Sequence, residues 1–177
     1  MSEVPGKPAS WIWGAYSRLG LWVLLATVAI DQGHKWWMLL AARVAERGRY
    51  PVLPFLDMRY MLNTGVSFSF LDGHSYDWQC ALAAFAVFAA LALMVWLARG
   101  GTSRLMAVAL GLIAGGALAN AIDRVVHGGV VDYFLPHAFG IDWPTVFNIA
   151  DVAIVAGVCG LLYESFHTSR KDAANPL

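Results

Sequence analysis

The sequence predicts an all-α integral membrane protein: a bundle of four transmembrane helices with a small extracytoplasmic β-sheet between spans one and two. Three observations carry that class. The chain of 177 residues is 59% apolar and 14% charged, against roughly 45–50% and about 25% in soluble domains. Four nearly uncharged stretches can be marked along it, and at about 20 residues per crossing they take up roughly half the length. The segment between the first two is too long to be a mere connector and carries period-two alternation. Residues 1–177 therefore form a single membrane domain.

Taken in order, residues 1–18 are a polar lead into Leu19 to Ile30, a run too apolar for a surface helix. A cleaved signal peptide is the competing reading. The run passes straight into Asp31-Gln-Gly-His-Lys35 without a small-residue cleavage pattern, so a retained span over about 16–38 is expected. Span two, 80–98, contains no charge, and span three, 105–122, turns polar only at its far end, at Asn120. The uncharged run 152–163 is only about half of what a ~30 Å crossing needs. Span four is therefore extended to 146–166, which puts Asn148 and Asp151 inside it or at its mouth, a costly place for a carboxylate. In the intervening loop, 40–78, Val66, Phe68 and Phe70 alternate with Ser67 and Ser69 and suggest short strands on the outer membrane surface. A polar tail, 167–177, ends the chain.

Basic residues orient the bundle. Lys7, Arg18, Arg99, Arg104, Arg170 and Lys171 flank one side. Lys35, Arg43, Arg47, Arg49, Arg59 and Arg124 lie on the other. The first six sit in shorter segments with few acids, so both termini are expected in the cytoplasm. Trp11 and Trp13 then anchor the inner surface and Trp36 and Trp37 the outer one.

Composition also excludes several functions. Twelve Lys and Arg balance twelve Asp and Glu, so charge provides no attraction for nucleic acid. Cys80 and Cys159 lie in apolar runs, and the five histidines form no ligand cluster, so neither a disulfide nor a metal is expected. Ser67 and Ser69 lack the Gly-x-Ser-x-Gly elbow of a serine nucleophile.

Four crossings with both ends inside bring the end of span one, the end of span three and the start of span four to one outer mouth. Asp31 and Lys35, then Asn120, Asp123 and Arg124, then Asn148 and Asp151 meet there, with Asp132 in the connection between spans three and four. Asp31 and Lys35 have the i,i+4 order of a simple ion pair. Asn120, Asp123 and Arg124 share a helical face and suit either scaffold or substrate positioning. Asp132 and Asp151 have no local cation. Two carboxylates held close cannot both ionise cheaply, which is the equipment of an aspartyl hydrolase. A proton or cation relay in a small transporter, or an assembly factor binding through its outer sheet, is the alternative on the residues alone.

Five ordered blocks then carry a resemblance: Asp31-Gln-Gly-His-Lys35, Asn63-Thr-Gly65-Val-Ser-Phe68, Gly115-Gly-Ala-Leu-Ala-Asn120-Ala-Ile-Asp123-Arg124, Gly129-Val-Val-Asp132-Tyr and Phe147-Asn148-Ile-Ala-Asp151. Together they resemble the signature of the lipoprotein signal peptidase (signal peptidase II) family. The resemblance implies a multi-pass aspartyl endopeptidase of the bacterial inner membrane with its active site near the outer surface. It would cut the signal peptide from prolipoproteins just before a diacylglyceryl-modified cysteine. By the same resemblance, Asp132 and Asp151 are the catalytic pair. Asn63, Gly65, Asn120, Arg124 and Asn148 contact substrate, and Asp31, Lys35 and Asp123 support the site. No cofactor is implied. The implied partners are diacylglyceryl prolipoproteins and membrane lipids, with cyclic peptide antibiotics of the globomycin type as inhibitors and the protein acting as a monomer. Gly33 and His34, Ala119, and Val66-Ser67 depart from the family's usual residues. Ala119 adds a methyl where helices pack closely.

Overall fold

The structure is a computed structural model and describes residues 13–65, 75–101, 103–139 and 141–174. In chain order the elements are α1 (Ser17–Leu40), α2 (Val44–Arg47), β1 (Tyr50–Leu53), β2 (Leu56–Asn63), α3 (Tyr76–Gly100), α4 (Arg104–His127), β3 (Val130–Ala138), β4 (Ile141–Asp142) and α5 (Ile149–Ala174). At 1.5 Å per residue each of the four long helices measures about 36–39 Å. Three of them are both long and apolar enough to cross a membrane: α3, α4, and α5 over Ile149–His167.

Local chemistry sets the helix ends. Ser75 and Ser103 accept the backbone N–H of Trp78 and Met106 at 3.2 and 3.0 Å, capping α3 and α4 at their N-termini. Helix α4 stops at Gly128, whose φ of +73° provides the left-handed turn that a residue with a Cβ rarely adopts.

The surface differs from that of a soluble protein, and polar groups join an apolar core. Phe85, Phe88 and Phe166 are each 70% exposed, while Asp31 and Asn148 are fully buried and Lys35 nearly so. Apolar side chains facing outward and polar ones paired inside suit a hydrocarbon solvent. Helix α4 is the axle, packed against α1, α3 and α5. Gly115 and Gly116 let it approach on two sides. A Cβ at Gly115 would meet the Thr27 Cβ at 2.7 Å in α1, and one at Gly116 would meet the Ala150 carbonyl oxygen at 2.5 Å in α5.

One antiparallel sheet, in the order β1-β2-β3-β4, closes the end of the bundle where α1 and α4 finish and α5 begins. In β2 and β3, Met61 is opposite Asp132 and Asn63 opposite Val130. At the sheet's other end Arg49 ties the strands together. It donates through Nε to Asp57 Oδ2 at 2.5 Å and through both terminal nitrogens to Asp142 at 2.6 and 2.7 Å.

Several expectations from the sequence are corrected. The sheet is not confined to the segment between the first two spans, because half of it comes from the connection between α4 and α5. That connection reads as a loop but pairs with β2. Helix α5 begins at Ile149 instead of near 146, since Phe147 bridges to Phe134 in extended backbone and Asn148 caps the helix. Helix α5 continues to Ala174, into the polar stretch that begins at 167. The alternating stretch Val66 to Phe70, like Trp11, lies outside the described residues.

Candidate active site

The site starts from one buried ammonium group. Lys35 lies one turn after Asp31 on the inner face of α1, and its Nζ contacts three oxygens: Asp31 Oδ2 at 2.8 Å, Asp123 Oδ2 at 2.6 Å and Asn120 Oδ1 at 3.2 Å. That matches the three donors an ammonium has to satisfy. Each carboxylate then reaches a further element. Asp31 Oδ1 accepts the Ala150 N–H of α5 at 2.8 Å, and Asp123 Oδ2 accepts the Val131 N–H of β3 at 3.0 Å. Gln32 closes the set, donating through Nε2 to Asp123 Oδ1 at 2.8 Å and to the Ala119 carbonyl at 3.1 Å. The methyl of Ala119 is fully buried without parting α1 from α4 at this point.

Above this knot sit the two unpaired acids. Asn148 Nδ2 donates to Asp132 Oδ1 at 2.6 Å, and the Asn148 backbone N–H donates to Asp151 Oδ2 at 3.2 Å. One residue therefore bridges both carboxyls. Asn63 Nδ2 reaches Asp132 Oδ2 at 3.1 Å, and Asn120 Nδ2 reaches Asp151 Oδ1 at 2.9 Å. Among the described residues, neither aspartate makes an ion pair. Burial, and after it the negative charge of Asp151, pushes the Asp132 carboxyl up to about 7, against the pull of its bonds from Asn63 and Asn148. Two acids so placed can share one proton and act as acid and base together.

Arg124 forms the rim. One terminal nitrogen donates to the Gly65 carbonyl at 2.8 Å and the other to the Asn120 carbonyl at 3.4 Å, while Gly65 N–H donates to Asn63 Oδ1 at 3.1 Å. The Arg124 Nε is buried with no partner among the described residues.

All ten residues singled out in the sequence thus meet in one hydrogen-bonded network: Asp31, Lys35, Asn63, Gly65, Asn120, Asp123, Arg124, Asp132, Asn148 and Asp151. Sequence reasoning missed three neighbours, Gln32, His34 and Tyr133. Gln32 reads as a spacer beside Asp31, although a polar side chain one position from a buried acid on an apolar helix is itself a signal. Tyr133 becomes legible only once its segment is known to be a strand.

A family model described as signal peptidase (SPase) II matches residues 23–167. The chain belongs to the signal peptidase II family. It is 45% identical over 152 residues to a lipoprotein signal peptidase of Rhodopseudomonas palustris strain CGA009, covering 84% of this chain and 92% of that protein. It is 42% identical over 152 residues to the lipoprotein signal peptidase of Methylocella silvestris, covering 86% and 88%. A solved structure described as a bacterial membrane enzyme at 2.3 Å resolution superposes with a TM-score of 0.74 at 26% identity, covering 90% of this chain and 92% of that one. This signal peptidase II is thus a membrane protease of a bacterial family, with helices able to span a membrane.

Proposed function

We propose that Asp132 and Asp151 are the catalytic pair with which this signal peptidase II removes signal peptides from prolipoproteins, cutting before a diacylglyceryl-modified cysteine. The observation that carries the reading is Asn148, hydrogen-bonded to both carboxyls at 2.6 and 3.2 Å. The ionised member takes a proton from water as it attacks the scissile carbonyl. The protonated member gives its proton to the carbonyl oxygen, and the resulting diol collapses with protonation of the leaving amine. Asn63, Asn120 and Asn148 hold the acids at fixed positions. Arg124, whose buried Nε has no partner among the described residues, donates to backbone or head-group oxygens of the substrate.

On the same reading α1 is a fourth span. Its charges do not oppose crossing, because Asp31 and Lys35 are buried and mutually paired. Both termini then lie in the cytoplasm of a bacterium's inner membrane, and the sheet and the acids lie at the outer surface. Membrane lipids solvate the outward apolar faces, globomycin-type cyclic peptides compete for the acids, and the protein acts as a monomer. The transporter reading is disfavoured because the buried charged and amide side chains of the helices gather at one end of them, whereas a relay recurs through the bilayer.

The test is cleavage of a diacylglyceryl-modified prolipopeptide by purified protein in detergent, read by mass. Asp132→Asn and Asp151→Asn should each lose about a thousandfold or more in rate, and the double variant should be scarcely worse, because the pair acts as a unit. Cleavage by either single variant within a few-fold of the parent would overturn the assignment.

A further inference from the structure

Tyr133 follows Asp132 in β3, so its side chain leaves the strand on the opposite face. It is fully buried. Its hydroxyl lies 2.9 Å from Nδ1 of His34 in α1, and its backbone N–H donates to the Phe147 carbonyl at 3.2 Å, two residues before α5. One residue of β3 therefore joins the strand to α1 and to the entry of α5. The strand carries Asp132, and the helix that follows Phe147 carries Asp151 in its first turn. Burial holds the Tyr133 phenol far above its ordinary range, so the hydroxyl stays protonated. The imidazole is in turn held among Trp37, Tyr133 and Phe134, with ring centroids at 5.7, 5.1 and 6.0 Å.

We propose that His34 is a positioning residue for the hydrolysis: by hydrogen-bonding the Tyr133 hydroxyl from α1, it fixes the separation of Asp132 on β3 from Asp151 at the start of α5. This rests on the two-aspartate reading above. Lys35 pins the same elements from the Asp31 and Asp123 side, but it reaches β3 through the Val131 N–H, one residue before the catalytic acid. The His34–Tyr133 bond pins β3 one residue after it. Together they fix the strand on both sides of Asp132, and loss of either loosens the backbone beneath a carboxyl that only the Asn63 and Asn148 side chains then aim. A displacement of about 1 Å in a reacting group lowers turnover far more than it lowers binding.

The experiment measures kcat and KM on the diacylglyceryl-modified prolipopeptide for the full-length protein in detergent. His34→Phe keeps an aromatic ring between Trp37 and Phe134 but removes the partner of the Tyr133 hydroxyl. It should lower kcat by about tenfold or more with KM within about twofold. Tyr133→Phe should do the same, and the double variant should be no worse than either single one. His34→Asn retains a hydrogen-bonding atom, donor or acceptor, at the Nδ1 position and should recover most of kcat. His34→Gln places its amide where Nε2 lies and should not. Should Tyr133→Phe fail to accumulate, the His34 series decides alone. A His34→Phe variant with parental kcat, a loss confined to KM, or equal recovery by Gln and Asn would each overturn the inference. Asp132→Asn, run alongside, separates the two levels: if it stays inactive while His34→Phe is unimpaired, only the positioning role falls, and if it remains active the two-aspartate reading falls with it.

Discussion

Asn148 and Asp151 cap each other. The Asp151 N–H donates to Asn148 Oδ1 at 3.0 Å and the Asn148 N–H returns to Asp151 Oδ2 at 3.2 Å, the reciprocal geometry of a capping box at the start of α5. The proposed catalytic carboxylate is thereby also the device that starts its own helix. Asp151→Asn keeps an oxygen for the Asn148 N–H and should lose activity while remaining folded. Asp151→Ala removes the return bond from the Asn148 N–H as well and should cost a further ~1 kcal/mol of stability, read as a lower midpoint of thermal unfolding in detergent.

Asp132 gives stability an unusual pH dependence. Its folded-state value, about 7, lies above the ordinary carboxylate value near 3.8. Between those limits the native state holds more proton than the unfolded one, so this group's contribution is full below the lower limit and declines as pH rises through about 7. Asp132→Asn should therefore flatten the fall in thermal midpoint between pH 5 and 8. On the activity side, kcat should decline above about pH 7, as the pair loses its shared proton. A midpoint profile unchanged by the substitution would show that Asp132 does not carry the perturbed titration.

Lys35 holds two buried carboxylates, and removing it should be worse than removing all three charges. Lys35→Met leaves Asp31 and Asp123 uncompensated, at a cost of ~3–5 kcal/mol, and the variant should scarcely accumulate in membranes. Combining Lys35→Met with Asp31→Asn and Asp123→Asn should restore accumulation in part. Immunoblotting of membrane fractions compares the two.

Arg124 spans from α4 to the Gly65 carbonyl with a planar fork that a lysine cannot reproduce. Arg124→Lys should remain in the membrane and lose roughly tenfold or more in kcat/KM. Parental kinetics in that variant would make Arg124 an anchor for the chain alone.

Topology is tested by single cysteines in a background lacking Cys80 and Cys159. Ser103→Cys should react with an impermeant thiol reagent only from the cytoplasmic side, and Ser75→Cys only from the outer side. Each change removes a helix cap at a cost of ~1 kcal/mol, small against the burial of α3 and α4 in the membrane. Reaction of Ser75→Cys from the cytoplasm would invert the bundle and move the acids to the inner surface.

The helices were legible in the sequence because hydrophobic runs of about 20 residues have few other uses. The polar residues of the site were legible because an acid or an amide at a span end is too costly to be incidental. Asp31 and Lys35 could be read as a pair from i,i+4 spacing alone, since one helix fixes that distance. The strand β3 could not. Its ladder is completed by residues some seventy positions earlier, Met61 and Asn63 facing Asp132 and Val130. Hydrogen bonds between strands have no local signature when both faces of a strand are buried. The start of α5 was set in the same way, by the Phe134–Phe147 bridge and by Asp31 reaching across to the Ala150 amide. Which carboxylate shares a bridge with which, and that Asn148 is that bridge, are distances between separate elements. The sequence by itself determined the apolar helices and the polar residues that needed partners. Only tertiary packing, through the close approach of α4 to α1 and α5 at Gly115 and Gly116, decided which partners they found.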